Sequence, residues 1–498
     1  MQDATTARRC LTRLAELTGW SLLLQLWPVA LQIGRLVADF RSAPLSPEKM
    51  ARFEWELQTH LCKVGGVIVQ WAVNRLKPTE LADMPPVMFW ERDAYRPKRL
   101  APMRNLNCLF GPIRVRRWLY ESMDGLQRPA LFPLERALGI VSGVATPALA
   151  DLVARLSVDF TQRQVLESLR QQNHVVWGPQ TLRNVTRAMA EGIAPHQHAA
   201  HLEKLLGWLK QAAEGIGPVR FALAVGRDGL MLPIRGKETY KEGATATVSV
   251  FDRWGKRLGT IYLGQMPEPG QGTLSDELTQ LLRDVLARWQ GAMPRLVYIT
   301  DAGFHPRDYF ENVLSRMLNP HCPGRYLAWE WTVDYYHACG YLSKVAEAIF
   351  GPGREAHSWA TKMRRWLKDK PGGIHRVLRS AGALRTIRGL VGADSDYDSA
   401  YGFLRKHARW MDYAGRRRRR TPIGSGVTEA ACKTVFSQRF KCSGMKWDVA
   451  GGAVILALRL AVLSNTWATV RDEMFASCQI VLPPTPSQNC HTPLKIAA

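Results

Sequence analysis

The chain has 498 residues, of which 46% are apolar, which supports packed cores, argues against disorder and is long enough for about three domains. Lys and Arg number 67 against 43 Asp and Glu, and this surplus of +24 is spread along the chain, the electrostatic footprint of a protein that meets phosphate backbones. An acidic membrane would call for a basic amphipathic helix that the sequence lacks, and nine scattered cysteines without a CxxC pair argue against a disulfide framework or a structural zinc site, so the expected location is the bacterial cytoplasm, on the nucleoid.

Residues 1–84 read as a helical region. Its clearest part is 47–76, where Phe53, Leu57, Leu61, Val64 and Ile68 recur at helical spacing. The apolar run 20–33 follows Arg8, Arg9 and Arg13, but Gln25, Pro28 and Gln32 interrupt it and no small-residue cleavage site follows, so it reads as an amphipathic helix. Residues 85–140 change to short strands, with a hairpin of 103–110 and 113–120 around Gly111-Pro112. Arg114, Arg116 and Arg117 alternate there with apolar residues, giving a basic face that is either solvated or a DNA contact. Residues 141–217 carry three helix starts: Thr146-Pro147, Thr161 capping 162–172, and Gly178-Pro179 opening 180–190 with Arg183 and Arg187. This succession is similar to a DNA-binding helix-turn-helix, although any small helical bundle shows the same signals. A separate basic helix, 198–213, precedes the breaker Gly215-Ile216-Gly217-Pro218.

The pattern then turns to strands at 221–225, 246–251 and 258–263, the last two joined by a turn at 252–256. A helix with Leu274, Leu278, Leu281, Leu282 and Val285 in phase follows. Strand 295–300, helix 306–317 and strand 326–333 complete an α/β layer with its later strands parallel to the first, the order of a ribonuclease-H-like core. Residues 338–415 read as a helical insertion in that core, which resumes over 416–475. A polar tail, 476–498, ends the chain. Residues 450–463 carry Arg459 and are too few to span a bilayer, so they predict a buried helix.

Three acids carry the chemistry. Asp228 and Asp301 are expected where the first and fourth strands end, each with Gly within two positions, and acids at neighbouring strand ends converge on one site. Glu429 opens a helix behind Gly424-Ser425-Gly426, with Ser425 or Thr428 as the expected cap and small residues on its flanks. Hard oxygen ligands without His or Cys select Mg²⁺ or Mn²⁺, and two such ions suit an in-line phosphoryl transfer. Asp-Gly is also a common turn, and Asp252 is the alternative to Asp228. Arg416, Arg417, Arg418, Arg419 and Arg420 immediately precede this motif, and Lys433, Arg439, Lys441 and Lys446 continue it, together a phosphate-binding surface. Trp329, Trp331 and Trp447 are stacking candidates or core.

With these residues in hand, Asp228, Asp301 and Glu429 resemble the acidic triad of DDE-type transposases. The segment 413–447, with PIGSGVTEAACK, QRFK and SGMKW, resembles the glutamate motif of the ISKra-type insertion-sequence transposases. Asp334 and His337 resemble the D-x-x-H element of those transposases whose core has a helical insertion. There they would hold the scissile phosphate or orient the Glu429 helix, while a capping Asp is the plain structural reading. The likeness covers roughly 100–475, with Thr300-Asp301-Ala302-Gly303 standing where relatives often have a Gly-Asp-Gly-like element. The resemblance implies a protein that binds the terminal inverted repeats of its element, cuts there and joins the freed 3′-hydroxyl to target DNA, as a homodimer or larger assembly. A ribonuclease-H-like nuclease or resolvase, or a domesticated DNA-binding protein without catalysis, remains open on the residues alone.

Overall fold

A computed structural model describes residues 20–42, 44–76, 81, 84–90, 93–124, 128–236, 240–388 and 395–477. Residues 1–19 and the part of the expected tail from 478 onward lie outside them. The protein is mixed α/β and divides into two compact units, Met1–Gly192 with Arg471–Ala498, and Ile193–Val470.

In the first unit, α1 (Trp20–Ser42) and α2 (Pro47–Asn74) form a helical hairpin. Ser46 caps α2 by accepting from Lys49 N, with Pro47 in its first turn, and Phe40 stacks on Phe53 at 4.4 Å. A three-stranded antiparallel sheet follows, of β1 (Met88–Trp90), β2 (Asp93–Cys108) and β3 (Gly111–Ser122). The expected hairpin is there and longer than its apolar core suggested. Ile113, Val115, Trp118 and Tyr120 are buried, while Arg114 is exposed and Arg116 and Arg117 are half-buried. Arg117 is held by Glu135 at 2.8 Å, on the short helix α3 (Pro133–Ala137).

Next come α4 (Pro147–Asp159), α5 (Gln162–Gln172) and α6 (Pro179–Glu214). The expected starts hold: Pro147 opens α4, and Thr161 with Gln164 makes a capping box for α5. The expected break between 180–190 and 198–213 does not exist. They are one 36-residue helix containing Pro195, because the apolar stripe Leu182, Val185, Met189, Ile193 continues through Leu202, Leu205 and Leu209, all buried. The division between units falls inside α6, at Gly192, rather than at 217.

The second unit is built on a five-stranded sheet in the order β6-β5-β4-β7-β8, with β4 (Ala222–Pro233), β5 (Tyr240–Phe251), β6 (Arg257–Gln265), β7 (Arg295–Thr300) and β8 (Trp329–Val333). β5 is antiparallel to β4 and β6, while β7 is parallel to β4 and to β8. One face is apolar: Leu223, Val225, Val248, Val250, Ile261, Leu263, Tyr298 and Trp331 pack on α7 (Gly272–Arg288) and on the later part of α6. The register turns the alternate residues to the other face, where Ala222, Ala224, Gly226 and Asp228 of β4 lie beside Thr245, Thr247 and Ser249 as its small and polar part, and Phe251, Val297 and Ile299 add a buried apolar patch. Trp329 and Trp331 are therefore core, Trp331 lying 4.3 Å from Trp410.

α8 (Phe304–Asn312) links β7 toward β8. After β8, α9 (Tyr335–Phe350), α10 (Arg354–Asp369), α11 (Gly373–Ile387), α12 (Ser395–Lys406) and α13 (Tyr413–Arg418) enclose a core of their own around Leu342, Val345, Met363, Leu367, Val377 and Leu404. α14 (Gly426–Ala431) continues through a π-helical stretch, Cys432–Ser437, and a last turn, Gln438–Phe440. The buried Arg459 of α15 (Val449–Leu463) donates through Nε to Thr434 O at 2.7 Å, occupying a carbonyl of the widened stretch. α15 is buried as expected, and α16 (Trp467–Ser477) follows. By length and composition α1 is the one single helix among the described residues that could cross a membrane. α15 with α16 passes only as a pair bent by 116°.

Candidate active site

Asp228 is not at the end of its strand. β4 runs on to Pro233 because β5 keeps pairing with it, out to Pro233 opposite Tyr240. Pairing with β7 stops earlier, at Gly226 opposite Ile299, so the sheet opens there on the β7 side only. Asp228 lies two residues beyond that rung and Asp301 lies two beyond Ile299, both past the carboxyl ends of the paired parallel segments. Asp334 follows β8 at the same end, its N–H donating to Thr300 O at 2.7 Å. Parallel register and a two-residue period thus bring three carboxylates to one corner of the polar face.

The turn after β7 is held in a costly conformation. Ala302 has φ +67, the left-handed region that side chains other than Gly enter reluctantly. Two local bonds hold it, Gly303 N to Asp301 Oδ1 at 2.9 Å and Ala302 N to Thr300 Oγ1 at 3.2 Å.

Glu429 arrives on α14, which lies on the polar face. Thr428 Oγ1 hydrogen-bonds Thr247 Oγ1 at 2.8 Å, and a Cβ at Gly226 would collide with Thr428, so Gly at 226 is what admits the helix. Ser425 takes the N-cap position, yet neither expected cap bond forms. Its hydroxyl donates instead to Glu429 Oε1 at 3.1 Å, orienting an otherwise exposed carboxylate. The fully buried Asp334 fixes that entry. One of its oxygens caps α9 by accepting from His337 N at 2.6 Å, and the other accepts from Ser425 N. Of the roles expected for Asp334, capping and orienting the Glu429 helix are both built into these bonds.

Asp228 feels its neighbours. Burial, chiefly, and the charges of Asp301 and Glu429 push its carboxyl up to about 6, against the opposing bond from the Cys432 thiol, which donates to Asp228 Oδ2 at 3.3 Å. The Cys432 thiol is itself pushed far up by burial and by Asp228, so it stays a protonated donor. Cys432 escaped notice in the sequence, although its place three residues after Glu429 puts it on the same helical face. Asp252, the alternative first acid, is spent in its hairpin turn, accepting from Trp254 N and Lys256 N at 2.8 Å each.

Hard oxygens dominate this corner. Among the described residues no three His, Cys, Asp or Glu side chains form a ready cage for a metal ion. Mg²⁺ and Mn²⁺ do not require one, since they keep several waters and take one or two carboxylates together with substrate phosphates, which is the donor set available here. A cavity of about 680 Å³ opens beside Asp301, lined by Arg307, His337, Tyr341, Phe403, Lys406 and His407 among others. His337 thus faces a recess between the sheet's end and the helices α9 and α12.

No protein-family model matches the chain, and no curated protein matches it.

The basic residues divide. Arg416 is 6% exposed and bonds Glu330 at 2.6 Å and Trp331 O at 3.0 Å, its guanidinium lowered to about 10 by burial. Arg439 is 3% exposed, with its guanidinium over the Trp447 ring at 4.9 Å. Both are structural, against the expectation of a phosphate contact, because a helix that packs on a sheet must bury one side of its charge run. Trp447 is half-buried against Phe440, 4.6 Å away. Arg419 is half-buried near Glu330, at 3.5 Å, and Arg417 pairs with Asp369. Arg418, Arg420, Lys433, Lys441 and Lys446 are exposed, as are Arg183 and Arg187 on α6 in the other unit.

Proposed function

We propose that the protein is a DNA transposase, a metal-dependent polynucleotidyl transferase of the DDE type, whose five-stranded sheet is a ribonuclease-H-like core and whose helices α9–α13 are an insertion within it. The observation that carries this reading is the convergence of Asp228, Asp301 and Glu429 on the polar face of the sheet, close enough that the charges of the last two raise the first. Two Mg²⁺ or Mn²⁺ ions held by these carboxylates would activate an attacking oxygen and stabilise the leaving one. The residues around them do the rest. Ser425 and Cys432 aim Glu429 and Asp228, Asp334 fixes the α14 entry, and the exposed Arg418, Arg420, Lys433, Lys441 and Lys446 hold phosphates. Two displacements follow: water attacks phosphorus at the element's end and the 3′-oxygen leaves as a hydroxyl, then that hydroxyl attacks a target phosphate and expels a target 3′-oxygen. Synapsis of two ends implies at least two copies on DNA.

The test is cleavage and joining of labelled DNA carrying the element's ends, with Mg²⁺ or Mn²⁺. Asp228→Asn, Asp301→Asn and Glu429→Gln are expected to keep binding and to lose about 10²- to 10³-fold or more in rate, the size of a lost electrostatic contribution. Cutting without joining would make the protein a nuclease or resolvase. Binding without any cutting by the parent would leave a DNA-binding protein.

A further inference from the structure

α1 offers two apolar seams where its own unit uses one. Leu22, Leu26, Val29, Ile33, Leu36 and Phe40 are the half-buried positions facing α2, at intervals of four and three. A second seam at the same alternation, Trp20, Leu24, Trp27, Leu31, Gly34 and Ala38, is exposed along its whole length: Trp20 is 61%, Leu24 72%, Trp27 62% and Leu31 46% accessible. Leu23, Ala30 and Val37, also exposed, lie between the two seams, and Gln25, Gln32, Arg35 and Asp39 form a polar stripe on the other side, continued by the half-buried Ser21, which accepts from Trp71 Nε1 of α2 at 2.9 Å. This is the pattern of a helix that packs between two others.

We propose that the exposed seam of α1 pairs with the same seam of a second copy of this chain, antiparallel about a two-fold axis near Val29, so that two α1–α2 hairpins make a four-helix bundle. Size complementarity sets the direction. Antiparallel pairing centred there places Trp20 opposite Ala38, Leu24 opposite Gly34 and Trp27 opposite Leu31, so large side chains meet small ones at both ends. No atom lies near a Cβ built on Gly34, so its face is open to a close neighbour. A two-fold contact is isologous, and this seam is complementary to itself. The area also suits: two tryptophans at these exposures leave on the order of 300 Å² of ring in water, and with Leu24 and Leu31 of the seam and Leu23 beside it the strip reaches roughly 600 Å², approaching the ~800 Å² per partner of a stable interface. A membrane-lying helix would need a polar face rich in Lys and Arg, and this stripe holds one Arg beside an Asp and two Gln.

The pairing does not depend on the proposed catalysis, so it is measured on the full-length protein without DNA, by light scattering and sedimentation. The parent is expected to be a dimer at micromolar concentration. Leu24→Glu and, separately, Gly34→Arg are expected to be monomers with unchanged circular dichroism, both sites being exposed, and to melt below the parent by an amount that grows with protein concentration, as loss of a dimer requires. The double variant Leu24→Glu/Gly34→Arg is expected to recover the dimer, since each Glu then faces the partner's Arg. A monomeric parent overturns the proposal, whether residues 1–19 cover the seam or anionic phosphatidylglycerol vesicles capture it in flotation. So does a dimer that survives Leu24→Glu, or a double variant that stays monomeric.

Discussion

At the scale of single residues, the informative group is Asp228, whose carboxyl rises from an ordinary 3.8 to about 6. A raised carboxyl favours the folded state while protonated, and that benefit is lost as pH climbs through the folded value. Above pH 6 the ionised side chain is therefore a cost, equivalent to roughly 2–3 kcal/mol for a shift of this size. Asp228→Asn is expected to stabilise the protein by about 2 kcal/mol at pH 8, with the difference fading between pH 6 and 4 and absent below. Millimolar Mg²⁺, which needs the ionised form, should raise the parent's melting temperature at pH 8 far more than at pH 5.5 and leave the variant unmoved. Melting curves across pH with and without Mg²⁺ decide it, and a pH-independent difference between parent and variant would refute the assignment. Asp301 and Glu429 were legible as candidates from their glycine-flanked and small-residue settings. The Cys432 bond was not, because it joins residues 204 positions apart.

Among the elements, α13 and α14 show how one charge run serves two purposes. Glu330 on β8 is shared by Arg295 and Arg416, each at 2.6 Å, with Arg419 at 3.5 Å. Removing the acid leaves the buried Arg416 guanidinium without its carboxylate, which typically costs 3–5 kcal/mol. Glu330→Ala is expected to lose about 3 kcal/mol in urea unfolding, whereas the exposed Arg418→Ala should change stability by less than about 0.5 kcal/mol. If Glu330→Ala unfolds like the parent, the cluster is a surface network rather than a clamp. Helix starts at Pro147, Thr161 and Pro179 were readable because caps act within one turn. The fusion of two expected helices into α6 was not, since burial on both sides of Pro195 outweighs the lost hydrogen bond.

For the whole molecule, the +24 surplus makes a prediction about salt. DNA affinity should fall log-linearly with salt, and each phosphate-contacting residue among Arg418, Arg420, Lys433, Lys441 and Lys446 changed to Ala should reduce the slope by about 0.9. Arg439→Ala should leave the slope unchanged while lowering stability, as a buried residue does, and fluorescence anisotropy over a salt series separates the two. The sequence by itself determined the alternation of strands and helices and the five-stranded layer, and nominated three acids as candidates, because periodicity, caps and turn residues are local properties of the chain. Tertiary structure alone decided which face of the sheet those acids share, that β4 runs past Asp228, that Arg416 and Arg439 turn inward and that one seam of α1 stays bare. Those outcomes depend on the register between strands distant in sequence and on which surfaces find a partner to exclude water.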